Sequence, residues 1–188
     1  MNSVKAWISL LCFGAIIVLF SSCGGGETEP EETASVDLKP VIEVIFDEKE
    51  PDSPITVVEA RKSAQPGDEI IVIGKVSGAM SPFTEGFATF VLADQALETC
   101  DLVPGDLCET PWDACCVEPS VIQNMRMSIQ ILGEDGRPVM QSLRGVRGMK
   151  ELDTLVVSGT VAEGSTADNL ILNATGIFQK PSSPNQES

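Results

Sequence analysis

The sequence predicts an all-β fold: a small five-stranded barrel carrying one long cysteine-rich loop. Three observations predict it. Five segments between residues 69 and 178 are rich in β-branched residues or alternate apolar with polar ones. Clusters of Gly, Asp, Asn and Ser separate these segments, as turns require. Between residues 53 and 180, helical patterning is confined to 56–64 and 141–152, too little to build a helical core.

In chain order, residues 41–46 (VIEVIF) are a short apolar run, read as a strand or as a segment packing on the barrel edge. An acidic stretch follows at 47–52. Thr56 and Glu59 have capping-box spacing, so a short helix is expected from there to about Ala64, with Pro66 and Gly67 stopping it. Residues 69–76 (EIIVIGKV) read as the first barrel strand, with Gly74 where that strand bends. Residues 77–86 are turn-rich, and 87–94 (FATFVLAD) read as the second strand. The cysteine-rich loop, 95–121, comes next. Residues 125–132 (MRMSIQIL) read as the third strand, placing Met125, Met127, Ile129 and Ile131 on one face. Glu134, Asp135 and Gly136 suit a hairpin-type turn. Residues 141–152 are a short helix or turn-helix interrupted by Gly145 and Gly148. Strands are expected at 154–161 and 169–178, joined by a turn at 162–168, with a polar, disordered tail at 181–188.

Three strands, a helix-like connection and two more strands is an order that resembles the OB-fold, a five-stranded Greek-key barrel. The resemblance covers about residues 68–178, including the opening GDEIIVIGKV. It implies a short helix before strand 1 and another between strands 3 and 4, within one domain over 53–180.

Residues 1–22 read as an export signal: Lys5 supplies a short positive region, and 8–20 is an apolar run too short to span a bilayer comfortably. The run ends in Leu19-Phe20-Ser21-Ser22-Cys23, which resembles the lipobox of bacterial lipoproteins. That resemblance implies a lipid-modified Cys23 as the new N-terminus. Gly24, rather than Asp, follows it, which by similarity to lipoprotein sorting in diderm bacteria permits transport to the outer membrane. The expected location is therefore outside the cytoplasm, lipid-anchored to the outer membrane or the periplasmic face of the envelope. The alternatives are a plain cleaved signal or an uncleaved anchor. Residues 23–52 begin with GGGETEPEETAS and are expected to form an acidic flexible tether.

Composition narrows the function. Twelve Lys+Arg against 28 Asp+Glu give a net charge of −16, which opposes binding to phosphate backbones. The chain has no histidine and no tyrosine. That removes the commonest general base, the Ser-His-Asp and Cys-His arrangements and every histidine-ligated metal site. The expectation is a protein that is not an enzyme and does not bind nucleic acid.

The loop holds four of the six cysteines, Cys100, Cys108, Cys115 and Cys116; Cys12 lies in the signal. In an oxidising compartment disulfides are the first reading. A vicinal Cys115–Cys116 bridge is disfavoured by strain. Cys100–Cys115 with Cys108–Cys116 remains open, as does Cys100–Cys116 with Cys108–Cys115. The sharper alternative is a thiolate site for Zn or Cu using the same four residues, although no C-x-x-C knuckle is present. Redox exchange also lacks that motif. Trp112, beside Asp113, could stack on a sugar or grip a cation, or could pack over the loop. Met125 and Met127 form an M-x-M pair whose same-face spacing points to core packing. Arg137, Arg144, Arg147 and Lys150 are a basic cluster in an acidic chain, able to receive an anion or simply to be solvated.

With its signal, its OB-like pattern and Thr110-Pro111-Trp112-Asp113-x-Cys115-Cys116, the chain is similar to an uncharacterised family of exported bacterial lipoproteins. That likeness implies fold and location, and no activity. The functional expectation is a non-enzymatic binding or interaction module without a cofactor, for an envelope protein or a saccharide. The alternative is a Zn- or Cu-binding lipoprotein using the loop.

Overall fold

The computed structural model describes Ile42 and residues 45–105 and 107–181. The signal segment, Cys23, residues 24–41, 43 and 44 of the expected tether and all but the first residue of the expected tail lie outside these residues.

The chain closes into a five-stranded β-barrel. A two-residue strand, β1 (Ile55–Thr56), lies parallel to the first barrel strand, β2 (Glu69–Val76). Next come β3 (Thr89–Ala93), β4 (Arg126–Gln130), β5 (Thr154–Val161) and β6 (Ile171–Gln179). The pairing order β2-β3-β4-β6-β5 returns to β2, so the barrel has no open edge. β4 and β6 lie side by side in parallel, and the other barrel pairs are antiparallel. This is the Greek-key order expected of an OB-fold-like barrel.

Alternation in the sequence becomes an inward face. Val72 and Val76 of β2, Phe90 and Leu92 of β3, Met127 and Ile129 of β4, Leu155 and Val157 of β5, and Leu172 and Ile177 of β6 fill one core. Each large apolar side chain there contributes roughly 1.5–3 kcal/mol of burial free energy. Met127 thus packs in the core as its spacing implied. Met125 does not share that face, because it sits at a helix terminus before the strand and packs with Ala93, Leu97 and Ala114.

Helix α1 (Val57–Ser63) covers one end of the core with Val57 and Ala60. Its capping box is complete: the Glu59 N–H donates to Thr56 Oγ1 (3.2 Å) and the Thr56 N–H donates to Glu59 Oε2 (2.8 Å). Hydrogen bonding of the Glu59 carboxyl by the Thr56 backbone N–H, and then by the Thr56 side chain, holds it below its ordinary pKa. The barrel domain reaches back before residue 53. Ile42, Ile45 and Phe46 are buried, and the backbone around Ile45 and Asp47 pairs with Ile177 on β6. The apolar run is therefore a segment packed on the barrel edge.

Two local features depart from expectation. The loop after β3 contains a turn of 3₁₀ helix (Cys100–Leu102) and a second helix, α2 (Pro119–Asn124), started by proline at its first position. Between β4 and β5 the expected short helix contracts to a 3₁₀ turn, Val146–Gly148, with Arg147 at φ 50° inside it. Gly145 and Gly148, at φ 84° and 81°, break the α-helical path, and buried Leu143 and Met149 pin the connection instead.

Asp153, at the entry to β5, is buried and accepts at Oδ2 from the Lys150 N–H (2.8 Å) and the Gln179 amide (2.9 Å). Burial raises its pKa above the ordinary value, against the pull of those donors. The native state then holds the proton more tightly than the unfolded chain. Its stability contribution is greatest below the ordinary aspartate range, about pH 4, and declines as pH rises through the raised value. Asp153→Asn is expected to remove that decline and to cost no more than about 1 kcal/mol at pH 7. Asp153→Ala should cost about 1–3 kcal/mol, since both donors lose their acceptor. Urea denaturation from pH 3 to 8 checks both.

Candidate functional site

The segment between β3 and β4 leaves the barrel at Asp94 and folds back on itself. Asp94 starts the turn by accepting the Ala96 N–H at Oδ1 (3.0 Å). Leu97 then buries against Ala93 and Ala114. The outgoing and returning limbs are joined by the Cys100 N–H donating to the Asp113 carbonyl and the Asp101 N–H to the Pro111 carbonyl, both at 2.8 Å. The Gly78 N–H donates to the Trp112 carbonyl (2.9 Å), fastening the loop to the β2–β3 connection.

This folding brings sulfurs together. Cys100 Sγ is 3.5 Å from Cys115 Sγ, and Cys115 Sγ is 3.9 Å from Cys116 Sγ. The sulfurs of Cys100, Cys108 and Cys115 all lie within 4.8 Å of one another. Cys108 is placed by Thr110, whose carbonyl and hydroxyl oxygens are 3.6 and 3.4 Å from its sulfur. The expected disulfides are not formed among the described residues. A bridge requires about 2.05 Å between sulfurs. Here three sulfurs surround a common point, with Cys116 outside the group.

The thiols are not equivalent. Burial, then the Cys115 hydrogen bond, pushes Cys100 up to about 12. The side-chain and backbone hydrogen bonds to Thr110 lower Cys108. At Cys115 the hydrogen bond to Cys100 lowers the pKa, but the opposing contributions of Cys116, burial and Cys108 leave it raised.

Trp112 lines a groove of about 550 Å³ together with Met80, Pro82, Phe83, Ser142, Arg144 and Glu151, and none of the four cysteines lines it. The Trp112 indole Nε1–H donates to the Met80 carbonyl (3.0 Å), which fixes the ring. Arg144 and Glu151 pair at 3.0 Å across the groove wall, with the Glu151 side chain largely covered. Asp113 does not line this groove; its Oδ1 accepts the Ala114 N–H at 2.8 Å within the loop.

The basic cluster divides. Arg144 lines the Trp112 groove, while Arg147 lies over the Phe46 ring, 5.5 Å from its centroid, beside a different groove. Arg137 sits on the exposed turn after β4, and Lys150 is exposed beside Asp153. The structure thus joins Cys100, Cys108 and Cys115 in one site and Trp112 with Arg144 in another. Met80, Phe83 and Glu151 were missed by sequence reasoning, because only tertiary folding brings three separate connections to one wall.

No protein-family model, no curated protein and no solved structure matches the chain. No helix among the described residues is long and apolar enough to cross a membrane.

Proposed function

We propose that the chain is an exported, lipid-tethered, non-enzymatic binding module, and that the groove beside Trp112 takes a saccharide of the cell envelope. The groove carries this reading. Its volume of about 550 Å³ falls within the range typical of small-molecule sites. An aromatic ring held by its own hydrogen bond offers a flat apolar surface without further ordering cost. Ser142, Arg144, Glu85 and Glu151 supply donors and acceptors around it. A sugar has that same division, with apolar C–H faces and a hydroxyl rim. The paired charges of Arg144 and Glu151 favour an uncharged ligand over an anion. The lipobox-like Leu19-Phe20-Ser21-Ser22-Cys23 and the lack of histidine support the envelope location and the non-enzymatic role.

The probe is a set of soluble N-acetylglucosamine oligosaccharides, titrated calorimetrically into the full chain. Saturable binding weakened about tenfold or more by Trp112→Ala supports the groove; heats indistinguishable between the two proteins remove it. In fractionated cells, Cys23→Ser should shift the protein from the membrane to the soluble fraction. Unchanged membrane retention of that variant defeats the lipid tether.

A further inference from the structure

The thiol cluster lies outside the Trp112 groove and does not depend on what that groove binds. Cys100, Cys108 and Cys115 come from three points of the loop, yet their sulfurs converge within 4.8 Å. Backbone pairing of Cys100 with Asp113 sets the first and third side by side, and Thr110 places the second. Four thiolates at about 2.3 Å around a tetrahedral zinc ion are separated by about 3.8 Å, and three around a trigonal copper(I) ion by about 4 Å. The 3.5 Å between the sulfurs of Cys100 and Cys115 lies close to both values and far from a bonded pair.

The donor set also selects. No imidazole is available anywhere in the chain, and the cluster consists of sulfur alone. Thiolates favour Cu(I) and Zn(II) over Mg(II), Ca(II) or Mn(II). The strongly acidic chain raises the local concentration of cations in general. The limb that carries Cys108 also needs a fastening, since its neighbour Leu107 is 95% exposed and contributes nothing to a core.

We infer that Cys100, Cys108 and Cys115 form a binding site for one thiophilic d¹⁰ cation, with Cys116 adjacent as a fourth ligand if that cation is tetrahedral. The cation would be held by thiolates, their protons passing to solvent. It would tie the outgoing limb, the tip and the returning limb of the loop together. Because Trp112 lies between Cys108 and Cys115 in the chain, loading would also stiffen the wall of the groove.

The full chain, kept anaerobic and reduced with a phosphine, is titrated separately with Zn(II) and Cu(I). Native mass spectrometry counts bound ions, and alkylation followed by peptide mapping identifies shielded cysteines. One ion per chain is expected. Cu(I) should shield Cys100, Cys108 and Cys115 and leave Cys116 reactive, whereas Zn(II) should shield all four. Cys108→Ser and, separately, Cys115→Ser should weaken binding on the order of a hundredfold while circular dichroism stays native. Two results overturn the site: neither ion binding the reduced chain more tightly than it binds Cys108→Ser, or protein isolated from cells without air carrying two disulfides and no metal. Neither result decides whether the groove takes a saccharide, and loss of saccharide binding leaves the cation site standing.

Discussion

Gly159→Val should unfold the barrel. Gly159 lies buried in β5, beside the point where its register with β6 shifts between Ser158 and Gly159. A Cβ there would collide with the Asn173 carbonyl oxygen and come within 3.0 Å of the Ala174 Cα. Both are backbone atoms of the facing strand, so no side chain can swing aside. Relief requires β6 to move away from β5, and those two strands help close the ring. The expected loss is more than about 4 kcal/mol, a large part of the 5–15 kcal/mol that holds a typical domain together. Gly74→Val in β2 should act similarly, because its Cβ would meet the Ala93 carbonyl oxygen at 2.5 Å. Gly164→Ala is the control: nothing lies within 4 Å of that Cβ, and the change should stay within about 0.5 kcal/mol. Urea midpoints rank the three. A Gly159→Val protein that melts like the wild type would contradict the close approach of β5 to β6.

These glycines show why the fold was legible. Gly74 interrupts a run of β-branched residues, so its sequence context already marks a place where a strand must bend or be approached closely. The alternation in 125–132 was equally informative, and Met127, Ile129 and Ile131 are buried as their period requires. The capping box at Thr56 and Glu59 is a local signal read by local geometry, and it survives intact. Signals of this kind fail where tertiary contacts outweigh them. In residues 141–152, the helical pattern yields to Gly145 and Gly148 at positive φ and to the burial of Leu143 and Met149. The six-residue α2, which opens at Pro119, has no fully buried residue and sets only Ile122 against the small cluster of Ala93, Leu97 and Ala114, too little to show as a helical period in the sequence.

The candidate sites were legible in composition and hidden in geometry. Four cysteines in one loop declare cross-linking chemistry. Whether they pair or converge depends on the backbone link between Cys100 and Asp113, which spacing does not encode. Trp112 was singled out as an aromatic in a polar loop. Its partners Met80, Arg144 and Glu151 arrive from residues far away in the chain. The basic residues between β4 and β5 looked like one patch because they are close in sequence. The turn at Gly145 sends Arg144 and Arg147 to different grooves.

Asp94 joins the barrel to the site, and Asp94→Ala should damage both. Its side chain is buried and serves two orphan donors. Oδ2 accepts the Val58 N–H at 2.9 Å in the first turn of α1, and Oδ1 accepts the Ala96 N–H at 3.0 Å in the turn into the cysteine loop. Thr56 caps a different N–H, that of Glu59, so α1 is capped once from its own sequence and once from the end of β3. A carboxylate at that end of a helix also suits the helix dipole. Alanine leaves both N–H groups without their acceptor, that of Val58 half-buried and that of Ala96 near solvent, and empties a buried site, at a cost of about 1–3 kcal/mol. Asparagine restores one acceptor and turns an amide toward the other donor, so its loss should be intermediate. The second readout is chemical. Cys100 is only 4% exposed and depends on the turn that Asp94 begins. Its alkylation should therefore accelerate in Asp94→Ala under conditions where the barrel remains folded. A variant with a wild-type urea midpoint and unchanged Cys100 reactivity would show that α1 and the loop hold their positions without this carboxylate. The opposite result would identify the end of β3 as the place where barrel stability and the geometry of the three sulfurs are set together.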